Sequence, residues 1–256
     1  MKTEEIATRV PQIILLYWII KIASTTLGET GADMFSITFD LGYLTTIIIF
    51  MAIFLIFLGV KLSLKRYEPI SYWLTFTATA IVGTAISDFI DRTLGLGYLD
   101  GSILLLFLLG VVLFLWHKKE KSLSVEKIYT TSSEVYYWLA FLIANTLGTA
   151  AGDYLADGLE IGFVQSATLI SLVLIGLAVA NFYTKISKVL LFWFAFVLTR
   201  PFGATFGDLL TKPVENGGLD LGTIGTSAFF GVVLIIALSM EINYEKLHHF
   251  VKRKIR

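Results

Sequence analysis

Four tryptophans stand in the same local register, and this repetition constrains the fold more than any other feature of the sequence. Each has an aromatic residue one position before it, a glycine ten positions after it and an aspartate fifteen positions after it. The tryptophans are Trp18, Trp73, Trp138 and Trp193. The glycines are Gly28, Gly83, Gly148 and Gly203, and the aspartates are Asp33, Asp88, Asp153 and Asp208. A register kept through four copies indicates four structural units of one kind.

Each unit spans about 55 residues, which is room for two membrane-length helices. We predict repeats over 11–66, 67–121, 132–185 and 186–246, a central loop over 117–134 and a basic tail over 244–256. The eight helices are predicted over 11–33, 43–64, 70–90, 98–116, 134–156, 162–183, 186–211 and 222–241. In each repeat the first, odd-numbered helix carries the tryptophan, the glycine and the aspartate.

The composition is that of a membrane protein. Hydrophobic residues make up 56% of the 256 residues, against about 45–50% in soluble domains. Apolar runs such as 45–60 and 102–116 approach the roughly 20 residues needed to cross a bilayer. We therefore predict an all-α polytopic membrane protein, with a single transmembrane domain over 1–256 and eight transmembrane helices.

Lysine and arginine are concentrated in alternate loops, which predicts the orientation. Basic residues fall in the segments around 65–66, 117–127 and 185–188 and in the C-terminal tail. Both termini and the central loop are therefore expected to be cytoplasmic. Because each repeat has two helices, every copy enters from the same side, so the repeats are parallel and their pseudo-symmetry axis lies along the membrane normal.

A polar stripe runs along the predicted odd helices, because residues four apart share a helix face. Five carboxylates are candidate cation ligands: Glu29, Asp33, Asp88, Asp153 and Asp208. Neutral oxygen atoms could come from Thr25, Thr84, Asn145 and Thr149, and compensating charge from Lys21 and Arg200. Ionisable groups inside a membrane are costly and usually functional. If the four stripes converge, they form a polar path that ends in an acidic ring.

Simpler interpretations exist for each of these residues. An aspartate near a helix end can simply end that helix in water, although Glu29 and Asn145 lie a turn or more deeper. The tryptophans and the aromatic residues before them suit interface anchors or packing residues, and the glycines suit close helix packing. Lys21 and Arg200 could pair with carboxylates structurally or could act in gating.

The side chains that could act as metal ligands limit the kind of ion that the protein could bind. The chain has no cysteine and three histidines, all in predicted cytoplasmic segments, so hard cations such as Mn²⁺, Mg²⁺ or Ca²⁺ are favoured over zinc. The net charge of zero gives a nucleic-acid partner no electrostatic support. No catalytic triad, metal-hydrolase pattern or phosphate-binding loop is present, so we predict that the chain is not an enzyme and has no tightly bound cofactor.

The segments "KIASTTLGETGADMFS" (21–36) and "GATFGDLLTKP" (203–213) resemble the signature of a bacterial membrane family. Its members consist of four copies of a repeat of unknown function and are usually described as uncharacterised membrane-anchored proteins. The resemblance covers the whole chain and implies the same repeat and the same eight helices. It implies no activity.

The residues themselves favour a secondary transporter, most simply an exporter, of a divalent cation such as Mn²⁺. The expected partners are the lipid bilayer and a small inorganic cation. The alternatives are a cation or proton channel, an organic solute carrier that uses Arg200, and a scaffold without transport. A homodimer is an open alternative to a monomer.

Overall fold

The computed structural model describes the backbone of residues 8–125 and 128–255, and the side chains as far as residue 246. Within these residues it is all-helical and contains no strand. Eight α-helices follow one another: Leu15–Asp33 (α1), Gly42–Leu64 (α2), Pro69–Asp88 (α3), Tyr98–Glu120 (α4), Thr131–Asp153 (α5), Phe163–Tyr183 (α6), Lys188–Thr211 (α7) and Thr223–Ile255 (α8). The predicted eight helices are confirmed.

The four odd helices form a closed ring. α1 packs against α3, α3 against α5, α5 against α7, and α7 against α1. The main contact of each even helix is with the odd helix of the following repeat, so that α2 lies on α3, α4 on α5 and α6 on α7, while α8 lies on α1. The last repeat therefore packs against the first one in the same way as the other neighbouring repeats pack against each other. This closure brings together the polar stripes on α1, α3, α5 and α7.

The repeated glycines make these close contacts possible. A β-carbon at Gly28 would collide with Ala80, and one at Gly83 would lie 2.9 Å from the β-carbon of Asn145. In the same way, Gly148 packs against Arg200, and Gly203 packs against Thr25. Each glycine therefore packs on the residue seven positions after the tryptophan in the next odd helix, and small residues of this kind let membrane helices approach closely.

Several predicted boundaries were wrong. The central loop was placed at 117–134, but α4 continues to Glu120 and α5 already begins at Thr131. The charged segment after Trp116 stays helical because lysine and glutamate are good helix formers, and it ends where Lys121 adopts a left-handed conformation. Thr130 caps α5 by accepting a hydrogen bond from the backbone of Ser133. The two residues 126 and 127 of this loop lie outside the described part.

The helix predicted over 222–241 is also longer than expected. α8 starts at Thr223 and its backbone continues to Ile255, so the predicted basic tail is helical where it is described. The side chains of that tail beyond residue 246 lie outside the described residues.

Six helices are long and apolar enough to cross a membrane: α2, α4, α6, α7, α3 with the turn that follows it to Thr93, and α8 as far as Lys246. The other two, α1 and α5, lie in the ring, and most of their side chains are buried against neighbouring helices. Their polar faces lower the mean hydropathy. The architecture is therefore that of a multi-pass membrane protein with internal repeats.

Gly28→Ala is expected to destabilise the protein by about 1–3 kcal/mol, the usual cost of overpacking. The new methyl group would meet Ala80 and the backbone of α3, which cannot move independently. The matched control is Gly110→Ala, because Gly110 lies on the exposed face of α4 with nothing within 4 Å of its added β-carbon. Thermal unfolding in detergent measures both, and equal melting temperatures for the two variants would contradict the close-contact role.

Candidate functional site

All eleven predicted site residues are buried inside the ring, and none ends a helix in water. The five carboxylate residues are each exposed by 3% or less. The ring has an aromatic end, near the tryptophans, and a carboxylate end, near the four aspartates. The simpler interpretation of the aspartates as solvated helix ends is therefore wrong.

Three of the aspartates are the last α-helical residues before a π-helical turn. These turns cover Met34–Thr38, Phe89–Thr93 and Tyr154–Gly158, so the odd helices run past their predicted ends. In the fourth copy α7 instead continues regularly through Asp208 to Thr211. π-helical turns are frequent at functional sites, and here they follow the aspartate in three of the four copies.

Arg200 and Glu29 form the polar centre of the ring. Arg200 Nη2 lies 3.0 Å from Glu29 Oε2 and also donates to the hydroxyls of Thr149, at 2.7 Å, and Thr84. Arg200 Nη1 reaches the carbonyl oxygen of Thr25 at 3.5 Å. Groups from all four odd helices are therefore gathered around one buried ion pair.

Lys21 lies nearer the aromatic end. Its ammonium donates to the carbonyl oxygen of Phe196 at 2.8 Å and to the hydroxyl of Thr199, and it lies 3.9 Å from the centre of the Phe196 ring. Among the described residues no carboxylate pairs with it. Among the described residues Lys21 is thus a fully buried amine without a carboxylate partner, held by a carbonyl dipole, a hydroxyl and an aromatic face.

Aromatic side chains fill the ring beyond Lys21. Phe141 stacks on Phe196 with ring centres 4.0 Å apart, and the hydroxyls of Tyr72 and Tyr137 lie 2.5 Å apart. Tyr17 is also almost fully buried in this layer. The aromatic end is therefore closed by packed rings.

Two basic residues that were not predicted partly compensate the carboxylates at the carboxylate end. Lys212 Nζ lies 2.8 Å from Asp33 and 3.2 Å from Asp208, and so links α1 to α7. Arg92 pairs with two aspartates of neighbouring helices in the same way, Asp88 and Asp153, each at 3.2 Å. The acidic ring is therefore divided into two pairs of aspartates, each of which shares one basic residue.

The sequence did contain a signal for these two residues. Arg92 and Lys212 each follow the repeated aspartate by four positions, one helical turn. The same position holds Ile37 and Asp157 in the other two copies, so the pattern alternates around the ring. The prediction failed because both bases were assigned to the connecting loops.

Burial alone would lower the pKa of Lys212, but the neighbouring Asp208 and Asp33 carboxylates more than offset it. The pKa of this amine therefore lies above its ordinary value. Lys212 remains a positive charge at neutral pH, bound between two carboxylates.

Three carboxylates could hold a metal ion together. Oxygen atoms of Glu29, Asp33 and Asp208 all lie within 4.8 Å of one another, and all three residues are buried. Asp88 and Asp153 belong to the other pair, on Arg92. The described residues thus bring three of the five predicted cation ligands into one cluster.

Of the neutral predicted ligands, Thr84 and Thr149 reach this cluster, at 3.3 and 3.4 Å from Glu29 Oε2. Thr25 contributes its backbone carbonyl oxygen to Arg200, while its hydroxyl bonds to Ile22. Asn145 instead donates to Thr79.

Two pockets open at the carboxylate end, and Lys212 lines both. The first, of about 440 Å³, is also lined by Asp33, Thr38 and Thr211. The second, of about 560 Å³, is also lined by Arg92 and Tyr98. The carboxylate end is therefore accessible, in contrast to the filled aromatic end.

Comparison with known proteins supports the repeat and leaves the activity open. A family model described as Repeat of Unknown Function (DUF347) matches residues 16–67, 71–122, 136–187 and 191–246. The chain belongs to this four-repeat membrane family, and the predicted resemblance is confirmed. No curated protein and no solved structure matches the chain.

Proposed function

We propose that this protein is a secondary transporter of a small divalent cation. The observation that carries the proposal is the cluster of Glu29, Asp33 and Asp208, whose oxygen atoms lie within 4.8 Å of one another inside the ring. Three buried carboxylates in one place either share protons or bind a cation. A hard divalent cation with oxygen ligands satisfies both their charge and their lone pairs.

The ligand chemistry favours a hard ion. Carboxylate, hydroxyl and carbonyl oxygens surround the site, and the chain has no cysteine. Of the histidines, His117 lies at the far end of α4, near the aromatic end of the ring. Oxygen ligands suit Mg²⁺, Ca²⁺ and Mn²⁺, and we propose Mn²⁺ as the cargo to be tested first, with export as the direction.

The charge balance also suits a site whose carboxylates are largely compensated by basic side chains without cargo. Glu29 pairs with Arg200, Asp33 and Asp208 share Lys212, and Asp88 and Asp153 share Arg92. An arriving cation must replace a basic side chain rather than fill an unpaired acidic ring. Proton exchange through the carboxylates is one way to drive such a replacement.

The closed aromatic end favours a carrier over an open channel. Stacked aromatic side chains fill the space between the odd helices on one side of the site. On the other side, two pockets reach the site. A carrier exposes its site to one side at a time. An organic solute carrier is less favoured, because Arg200 is already engaged by Glu29, Thr84 and Thr149.

We propose a bacterial inner membrane as the location, with the carboxylate end on the outer side. All eight helices then cross the bilayer, and the four parallel repeats surround an axis along the membrane normal. Lys65, Arg66 and Lys118 lie in segments at the aromatic end, and by the positive-inside rule this supports cytoplasmic termini.

The first test is cation binding by the protein purified in detergent. Titration with Mn²⁺ is expected to raise the melting temperature, because a ligand that binds only the folded state stabilises it. Asp33→Asn and Glu29→Gln are expected to lose this effect, whereas Asp40→Asn, in an exposed turn, serves as the matched control and keeps it. Mg²⁺, Ca²⁺ and Zn²⁺ are titrated in parallel to rank the ions.

Uptake into proteoliposomes then separates binding from transport. Mn²⁺ flux that saturates with concentration and is lost in the two carboxylate variants supports a carrier. Undiminished flux in both variants would overturn the assigned site. If no ion shifts the melting temperature, a proton pathway through the same carboxylates becomes the better proposal.

A further inference from the structure

Lys212 occupies the position that a bound cation would take. Its ammonium lies 2.8 Å from Asp33 and 3.2 Å from Asp208, two of the three carboxylates of the cation cluster. It comes from the segment just after α7 and enters the ring from the carboxylate end. Any ion bound jointly by these two carboxylates must therefore displace the lysine.

Asp208 gives an independent reason to expect another ligand here. Its Oδ1 atom is buried, and the described residues donate no hydrogen bond to it, although the ammonium of Lys212 is near enough to attract it. The residue itself is 2% exposed. A buried carboxylate oxygen normally accepts at least one hydrogen bond or binds a metal, so the lysine satisfies this pair incompletely.

Space beside Lys212 allows its side chain to leave the two carboxylates. Its side chain is 21% exposed and lines both pockets at the carboxylate end. A flexible four-carbon stem allows the ammonium to leave the carboxylates and remain in water without unfolding the helix.

The equivalent base in the second repeat differs in kind. Arg92 uses two different nitrogen atoms, Nε for Asp88 and Nη2 for Asp153. Such a planar, two-point contact is stronger and more rigid than that of an ammonium. The two pairs of aspartates are alike in position, but one is held by an ammonium and the other by a guanidinium.

We infer that Lys212 is a tethered competitor of the transported cation, which fills the Asp33–Asp208 pair when cargo is absent and is expelled into the adjoining pocket when cargo binds. The inference rests on the proposed function, since it concerns the same cation site.

Lys212→Met tests the competition directly. The variant is expected to melt below wild type without metal, because two buried carboxylates lose their counter-ion. Its apparent dissociation constant for Mn²⁺ is expected to fall at least tenfold, because the ion no longer displaces a charge. The double variant Asp208→Asn with Lys212→Met is the control, and it should not show this increase in Mn²⁺ affinity.

Lys212→Arg keeps the charge and covers the case in which the methionine variant does not fold. A guanidinium pairs more firmly with two carboxylates, so this variant is expected to melt at or above wild type and to bind Mn²⁺ at least tenfold more weakly. Mn²⁺ affinity is measured by calorimetry and by the melting shift in all variants.

The outcomes separate the two proposals. If wild type binds Mn²⁺ through Asp33 but neither Lys212 variant changes the affinity, the competitor role is overturned and the cation site stands. Binding by neither wild type nor Lys212→Met overturns both proposals. Binding only after Lys212→Met overturns the transport of Mn²⁺ by the wild-type protein and supports the lysine as the occupant of the cation position.

Discussion

Arg200→Met is expected to lower the free energy of unfolding by about 3–5 kcal/mol, the cost of leaving one partner of a buried ion pair alone. Glu29 would keep its charge inside the ring, where Arg200 is the one described basic residue paired with it. The hydroxyls of Thr84 and Thr149 would lose their donor at the same time.

The double variant Glu29→Gln with Arg200→Met isolates the cause. It removes both charges, so most of the lost stability should return, since replacing a whole buried pair is often close to neutral. Thermal unfolding of the two single variants and the double variant completes a mutant cycle. A double variant no more stable than Arg200→Met would show that the hydroxyl contacts, rather than the ion pair, carry the effect.

This central pair illustrates what the sequence could predict. The spacing of four along α1 and α7 placed Glu29 and Arg200 on the inward faces of their helices. Pairing the two required the knowledge that α7 lies beside α1, which follows from closure of the ring. The repeat made that closure plausible, but no local pattern states which helix is the neighbour.

The carboxylate end illustrates what the sequence could not predict. The aspartates were found because they repeat, whereas Arg92 and Lys212 are present in only two of the four copies. Both bases follow their aspartates by four residues, but the helix predicted over 70–90 ended before Arg92, and Lys212 lies just after α7 in the structure as well. The π-helical turn through Arg92 could not be read from the sequence, because π-helices have no strong composition signal.

The counter-ions change the physical picture of the site. Counted from the sequence stripes alone, five carboxylates faced Lys21 and Arg200, and either shared protons or a bound cation had to balance them. With Arg92 and Lys212 included, one excess negative charge remains if all groups are ionised. The ring can therefore fold without cargo, which a carrier must do in each cycle when it returns empty.

Lys21→Met is expected to raise stability and to reduce transport. Lys21 is fully buried and has no carboxylate partner among the described residues, so a charge on its amine opposes folding. Replacement of buried ionic groups by apolar side chains of similar volume often gains roughly 1–4 kcal/mol. Phenylalanine stands at the same position in the other three repeats, so an apolar side chain fits this layer.

Lys61→Met is the matched control, because Lys61 is equally buried but lies 2.7 Å from Glu134. The same substitution there weakens a satisfied buried ion pair, and Arg9 alone remains to neutralise Glu134. Its melting temperature should therefore fall, the opposite sign to Lys21→Met.

The comparison separates a functional charge from a structural one. A costly charge that is kept without a structural partner is best explained by function, in line with the general trade-off between stability and activity. Higher stability with lost Mn²⁺ flux in Lys21→Met would assign Lys21 to the transport cycle, in the layer between the cation cluster and the aromatic end. A fall in melting temperature like that of Lys61→Met would instead show that the Phe196 carbonyl, the Thr199 hydroxyl and the Phe196 ring fully compensate the buried ammonium.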